Sequence, residues 1–192
     1  MLFYLIFFPI AIASLGWSLF TGSSDLWIAT AIFTFLYSGY GISVGFHRLL
    51  SHGSFKTSRT IRKLLLFWGC QGAQGSPVTW SLIHNRSHHA YTDTDKDVHT
   101  PTKGIYYALG GWIFHKENHE FARKELFKIR KQLDPFALWC HKNYNVLIIL
   151  NLVVIALLTG YMFGGRYVLA SLNASILSVV ISGIVNWLGH YP

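Results

Sequence analysis

The sequence predicts an all-α integral membrane protein, with four transmembrane helices in two hairpins and a cytoplasmic helical cap between them. Three observations carry the prediction. Hydrophobic residues make up 52% of the 192 positions and charged residues only 12%. That charge is about half of the roughly 25% found in an average soluble domain, so lipid is the expected main solvent. Four stretches are apolar and long enough to cross a bilayer, and nearly all basic residues fall in one block between the second and third.

The apolar stretches cover residues 2–20, 26–46, 146–163 and 167–189. A spanning helix needs about 20 residues at about 1.5 Å each. The first two are joined by the short polar run TGSSD and the last two by GGR, which makes two hairpins. No Lys or Arg precedes the first apolar run, so it is expected to be a retained span rather than a cleaved secretory signal. The whole of 1–192 is expected to form a single domain.

Charge sets the orientation. Fifteen of the 16 Lys and Arg residues lie between Arg48 and Lys142, and the sixteenth is Arg166 in the second hairpin turn. The positive-inside rule therefore places segment 47–145 in the cytoplasm and both hairpin turns on the far side. The net charge of +8 reads as topology and attraction to anionic head groups, which excludes nucleic acid as the expected partner. Cys70 and Cys140 sit in no Cys-x-x-Cys pattern and read as ordinary thiols.

Within the cytoplasmic segment, RTIRKLLLFWGCQGAQGSPVTW begins basic and turns apolar, as expected of a helix lying at the interface. In EFARKELFKIRKQL, Ala122, Leu126, Ile129 and Leu133 follow helical spacing among Lys and Arg. That face reads as a membrane-surface contact, with head-group binding as the alternative.

The ten histidines avoid the first three spans and both turns. Histidine is costly in hydrocarbon and useful where polar chemistry is done. His47 and His52 close the second span as HRLLSH. On a straight α-helix, five residues leave them about 140° apart, so they straddle a two-metal centre or converge where the helix ends. In HNRSHH, His84 and His88 are four apart on one helical face, while His89 is turned about 100° from His88. This suits a bridged metal pair better than a single ion. At the mouth of the last span, NWLGH places Asn186 and His190 four apart. Neutral imidazole suits iron, zinc and copper, and the lack of nearby cysteine argues against structural zinc. His99, His115, His119 and His141 lie outside these clusters, and His115 and His119 read as solvated surface residues.

Taken in order, GFHRLLSHGSF, QGSPVTW, RSHHAYTDTDKDVHTP, GGWIF and NWLGH resemble the membrane fatty-acid desaturases, specifically the delta-9 acyl desaturases. The likeness runs from about Gly45 to His190. It implies a four-helix membrane bundle with a cytoplasmic cap that carries a histidine-rich di-iron site. Two iron ions would activate O2 to desaturate an acyl chain, delivered on coenzyme A, on a carrier protein or in a lipid. A cytochrome b5-like, ferredoxin or rubredoxin-like donor would supply electrons. The resemblance makes His47, His52, His88, His89 and His190 metal ligands. It has Asn186 hydrogen-bond a water near one iron, Arg86 meet the substrate head group, and Trp80 and Trp112 wall the acyl channel. For the two tryptophans, a membrane-interface belt is the alternative reading.

Two departures stand out. The family's second box is His-x-x-His-His, and counting back from His88 lands on Asn85, with the histidine at His84. Either His84 still ligates or Asn85 takes its place, and four-residue spacing to His88 favours His84. The family also carries a further His-x-x-His-His after the last span, and the chain reaches Pro192 without one. The sequence is therefore expected to be a C-terminally truncated piece. The short N-terminal region and the QGSP element point to a bacterial plasma membrane or thylakoid rather than endoplasmic reticulum. The competing functions are a di-iron membrane hydroxylase and a non-catalytic metal-binding membrane protein.

Overall fold

The structure is a computed structural model that describes residues 2–129, 131, 133–163 and 165–190. Among the described residues every regular element is a helix. Helix α1, Leu2–Thr21, is followed across a tight turn by α2, Ser24–Thr34, which continues without a break through Phe35–Ser51. That second half is wound in the wide i→i+5 pattern, closed by the bond from His52 N–H to the His47 carbonyl at 3.0 Å.

Helix α3, Arg59–Gln71, starts where the Ser58 hydroxyl accepts from Ile61 N–H. Gly75, at φ +102°, takes the left-handed turn that leads into α4, Pro77–Ile83. The cap of α4 is Ser76, whose Oγ accepts from Thr79 N–H, and Pro77 occupies the first turn, where a missing N–H costs nothing. A second wide-wound stretch, His84–His88, links α4 to the single turn α5, His89–Tyr91. Short turns, including α6, Ile105–Ala108, lead to α7, Lys116–Ile129. Asp134 and Pro135 open α8, Pro135–Lys142, ahead of α9, Tyr144–Phe163, and α10, Tyr167–Gly189.

Among the described residues, three helices are long and apolar enough to cross a membrane by themselves: Leu2–Thr21, Ser24–Ser51 and Tyr167–Gly189. A fourth qualifies only as the pair Pro135–Lys142 and Tyr144–Thr159, bent by 77°. The second span is thus longer than the predicted 26–46, and it carries His47 on its own helix. Phe20, Leu157, Leu158 and Leu188 point outward from these helices, an apolar exterior suited to lipid. Inside, several polar residues of the spans pair with one another. Asn173 accepts from Ser14 Oγ at 2.8 Å and donates to Ser18 Oγ at 2.9 Å. Asn151 donates to the Tyr37 hydroxyl at 3.1 Å, and that hydroxyl also meets Ser171 Oγ at 2.7 Å. Such bonds tie apolar helices together where no hydrophobic force separates helix from lipid.

Two sequence expectations change. The predicted interfacial helix over 59–80 is broken at residues 72–76, and Leu65, Leu66, Gly69 and Cys70 of α3 are buried against the core. The apolar side of α7 likewise turns inward: Ala122 is buried, and Leu126, Ile129 and Leu133 pack on the core. Arg130 and Gln132 of that stretch, Gly164 of the predicted second turn, and Pro192 lie outside the described residues.

The tightest helix contact is between α2 and α3, where a Cβ on Gly41 would meet the Gly69 backbone nitrogen at 2.3 Å. The backbone there cannot yield as a flexible side chain would. Gly41→Ala is expected to destabilise the fold by about 1–3 kcal/mol, read as a lower midpoint in thermal unfolding of the detergent-solubilised protein. An unchanged midpoint would show that the two helices do not touch there.

Candidate metal centre

The two wide-wound stretches decide where the histidines point. An α-helix would set residues five apart about 140° away from each other. The i→i+5 winding stacks residue i+5 over residue i. His52 N–H bonds the His47 carbonyl, and His89 N–H bonds the His84 carbonyl, so each pair of histidines shares one face.

The pairs meet ring to ring. His52 Nε2 lies 3.1 Å from His47 Nε2 and 3.3 Å from His84 Nε2, and His89 Nε2 lies 2.9 Å from His84 Nε2. The ligating atoms of His47, His52, His84 and His89 all fall within 4.8 Å of one another. Two ligands about 2.1 Å from a common ion stand about 3.0 Å apart at a right angle and about 3.4 Å apart at the tetrahedral angle. These three separations fall in or next to that range, so the donors suit a metal ion in type and spacing.

His88 turns the other way. Its Nδ1 meets the buried Asp97 carboxylate at 2.8 Å, and its ring stacks on His99 with centroids 4.4 Å apart. His88, Asp97 and His99 form a second group with ligand atoms within 4.8 Å. The His190 ring lies 4.8 Å from that of His88. The expected pairing of His84 with His88 is therefore replaced by His84 with His89, because the local helix is not α-wound. His99 is drawn into the centre although sequence spacing left it out. Its Asp-x-His step after the acidic run was the available signal, since Asp97 Oδ1 accepts from His99 N–H at 3.0 Å.

The environment disfavours the charged forms of His84, His89 and His99 and leaves their lone pairs available. Burial, followed by the neighbouring His89 and His47, pushes the His84 pKa from 6.5 down to about 2. Burial, then His88, pushes His99 down to about 3. Burial also lowers His89. Burial works against ionisation of Asp97, yet the bonds from His88 and from the His99 N–H outweigh it and hold its pKa below the usual value.

A cavity of about 430 Å³ runs from the histidines between α2 and α10. Ser38, Ile42 and Ser43 form one wall and Val179, Ser182, Gly183 and Asn186 the other. Trp80 and Trp112 both line it, Trp80 stacked on His84 at 4.6 Å and Trp112 tilted against His99 at 5.5 Å.

Three predicted roles meet different geometry. Asn85 points away from the cluster and donates to the Ser51 carbonyl at 2.9 Å, joining the second histidine box to the end of the first. Arg86, expected at a head group, pairs with Glu125 of α7 at 3.3 Å. Asn186, expected on a water, donates to the His99 carbonyl at 3.1 Å. Of the two outlying histidines read as solvated, His115 is exposed, whereas His119 is partly covered and donates to the Ile113 carbonyl.

Apolar helices of membrane-spanning length, joined by polar segments that gather two adjoining metal-capable histidine groups beside a largely apolar cavity, define a membrane-type fold with a candidate metal centre. The family model for fatty acid desaturase matches residues 25–192, and the chain belongs to that family. It is 34% identical over 166 residues to the hex-5-enoyl-[acyl-carrier protein] acetylenase of Moorena producens, covering 80% of this chain and 50% of the relative. It is 38% identical over 104 residues to the sn-1 stearoyl-lipid 9-desaturase of Anabaena variabilis, 52% of this chain and 38% of the relative. Human stearoyl-CoA desaturase 5 is 29% identical over 175 residues, 88% and 53%. The chain thus spans about half or less of the length of these relatives.

The depressed histidine pKa values have a signed consequence for the metal-free protein. The unfolded chain takes up protons near pH 6.5 that folded His84 and His99 refuse until about 2 and about 3. Their contribution to stability is whole above about pH 6.5 and is lost as pH falls toward those values. Thermal unfolding in chelator is expected to give a flat midpoint above pH 7 and a falling one below 6.5, with a shallower fall in His84→Gln. A midpoint independent of pH from 7 to 5 would contradict this.

Proposed function

We propose that the complete protein is an oxygen-dependent fatty acyl desaturase that uses two histidine-held irons. The convergence of four imidazole Nε2 atoms beside an apolar cavity carries the reading. His47, His52, His84 and His89 would hold one iron. His88 and His190, with His99 beside them, face the second position. Iron, when bound, supplies the oxygen activation and hydrogen abstraction that an unactivated methylene requires. The protein's own part is to orient the imidazoles, keep them unprotonated, exclude water and align the chain. Trp80 braces His84 from the cavity side and Trp112 braces His99, so both wall the channel while holding the centre.

An acyl chain threaded between α2 and α10 would lie with its methylenes against the histidines, and delta-9 is the regiochemistry we assign. The relatives act, by their names, on acyl-carrier, lipid-linked and CoA-linked chains, and any of these carriers would present the same tail. Four spans, the 77° pair counted as one, would make the protein multi-pass. The basic block around the centre would set it on the cytoplasmic side. An external donor of the cytochrome b5, ferredoxin or rubredoxin type would deliver the electrons.

His84, rather than Asn85, is the ligand in this reading. His84→Ala is expected to lower bound iron toward about one per chain, while Asn85→Ala keeps the parent value, both measured by metal analysis of purified protein. The reverse pattern would overturn the assignment. Incubation with a saturated acyl substrate, donor and O2 should yield an alkene. An alcohol as the product would instead mark a hydroxylase, and metal uptake without oxygen consumption a non-catalytic binder.

A further inference from the structure

In the acidic run between the second box and His99, Asp97 meets His88 but Asp93 has no role in the reading above, and the geometry of the run is specific. Ser87 staples it to the box: its Oγ donates to the Lys96 carbonyl at 2.9 Å and accepts from Val98 N–H at 2.8 Å. From that fixed strap, Asp97 grips His88 Nδ1 at 2.8 Å and Asp93 grips His190 Nδ1 at 3.1 Å. The two histidine rings stand 4.8 Å apart at 71°, with Nδ1 engaged in each case and Nε2 left over. A histidine that ligates a metal commonly gives its other ring nitrogen to a carboxylate, which fixes both tautomer and orientation.

The two carboxylates differ in what else holds their histidine. His88 is buried within its helix. His190 follows the last residue of α10, with φ −120° and ψ 6°, and helix geometry does not aim its ring. Asp93 itself sits at φ +60°, one of only two non-glycine residues at positive φ among those described. Such a conformation persists where the surroundings require it.

We infer that Asp93 is a positioning residue, which holds the end of α10 to the acidic strap and turns His190 Nε2 toward His88. This rests on the metal-centre reading given above.

The test is a Co2+ titration by equilibrium dialysis, on metal-free protein from the complete gene in detergent. Asp93→Ala is expected to weaken one cobalt site by about 10–100-fold and spare the other. Asp93→Asn recovers part of the loss, because its amide oxygen still accepts from Nδ1–H. Asp93→Ala added to His190→Ala weakens binding no further, since both act through one ring. Parent and Asp93→Ala binding cobalt equally, or a full additional loss in the double variant, would overturn the inference and leave the metal centre standing. A parent that takes up no cobalt would overturn the metal reading and this inference with it.

Discussion

Two histidine pairs, each five residues apart, face one another because the helices that carry them are wound with i→i+5 hydrogen bonds at those points. Wide turns of this kind are rare and concentrate at functional sites. Here the winding turns the ends of α2 and α4 into opposing plates of imidazole, with Nε2 atoms at metal-ligand separations. The rest of the structure serves that meeting. Gly41 and Gly45 let α2 lie against α3, and Asn85 ties the second plate to the Ser51 carbonyl at the end of the first.

The same winding accounts for the irregular second box. An extra residue in an α-helix would rotate everything before it by about 100° and carry His84 off the shared face. A wide turn takes up one additional residue, so His84 still reaches His47, His52 and His89. The surplus position falls at Asn85, whose side chain bonds the Ser51 carbonyl and so cross-links the two boxes.

Electrostatics and packing then act in the same direction. Burying His84 and His99 and crowding them against other imidazoles penalises their charged forms, which leaves lone pairs for a cation. Trp80 both stacks on His84 and walls the cavity, so one side chain covers that histidine and shapes the space beside it. Asp97 and the Ser87 staple anchor the loop that brings His99 in, and Asn186 joins the mouth of α10 to that loop through the His99 carbonyl.

Much of this was legible in the sequence because it rests on composition and spacing. Apolar runs of bilayer length, a single basic block and ordered histidine boxes gave the helical class, the family and most of the centre. Asn151 and Asn173, set within apolar runs, are interhelical partners. Tertiary structure decided what local periodicity does not encode. Spacing rules assume α geometry, so they paired His84 with His88, where the structure pairs it with His89. They left His99 aside, because its place depends on a loop stitched by Ser87 and not on any helical repeat. They laid the apolar side of α7 on the membrane, although the core that covers it is assembled from residues distant in sequence. A sequence fixes which side chains are available and how far apart along the chain; winding and long-range contacts fix the direction in which each one points.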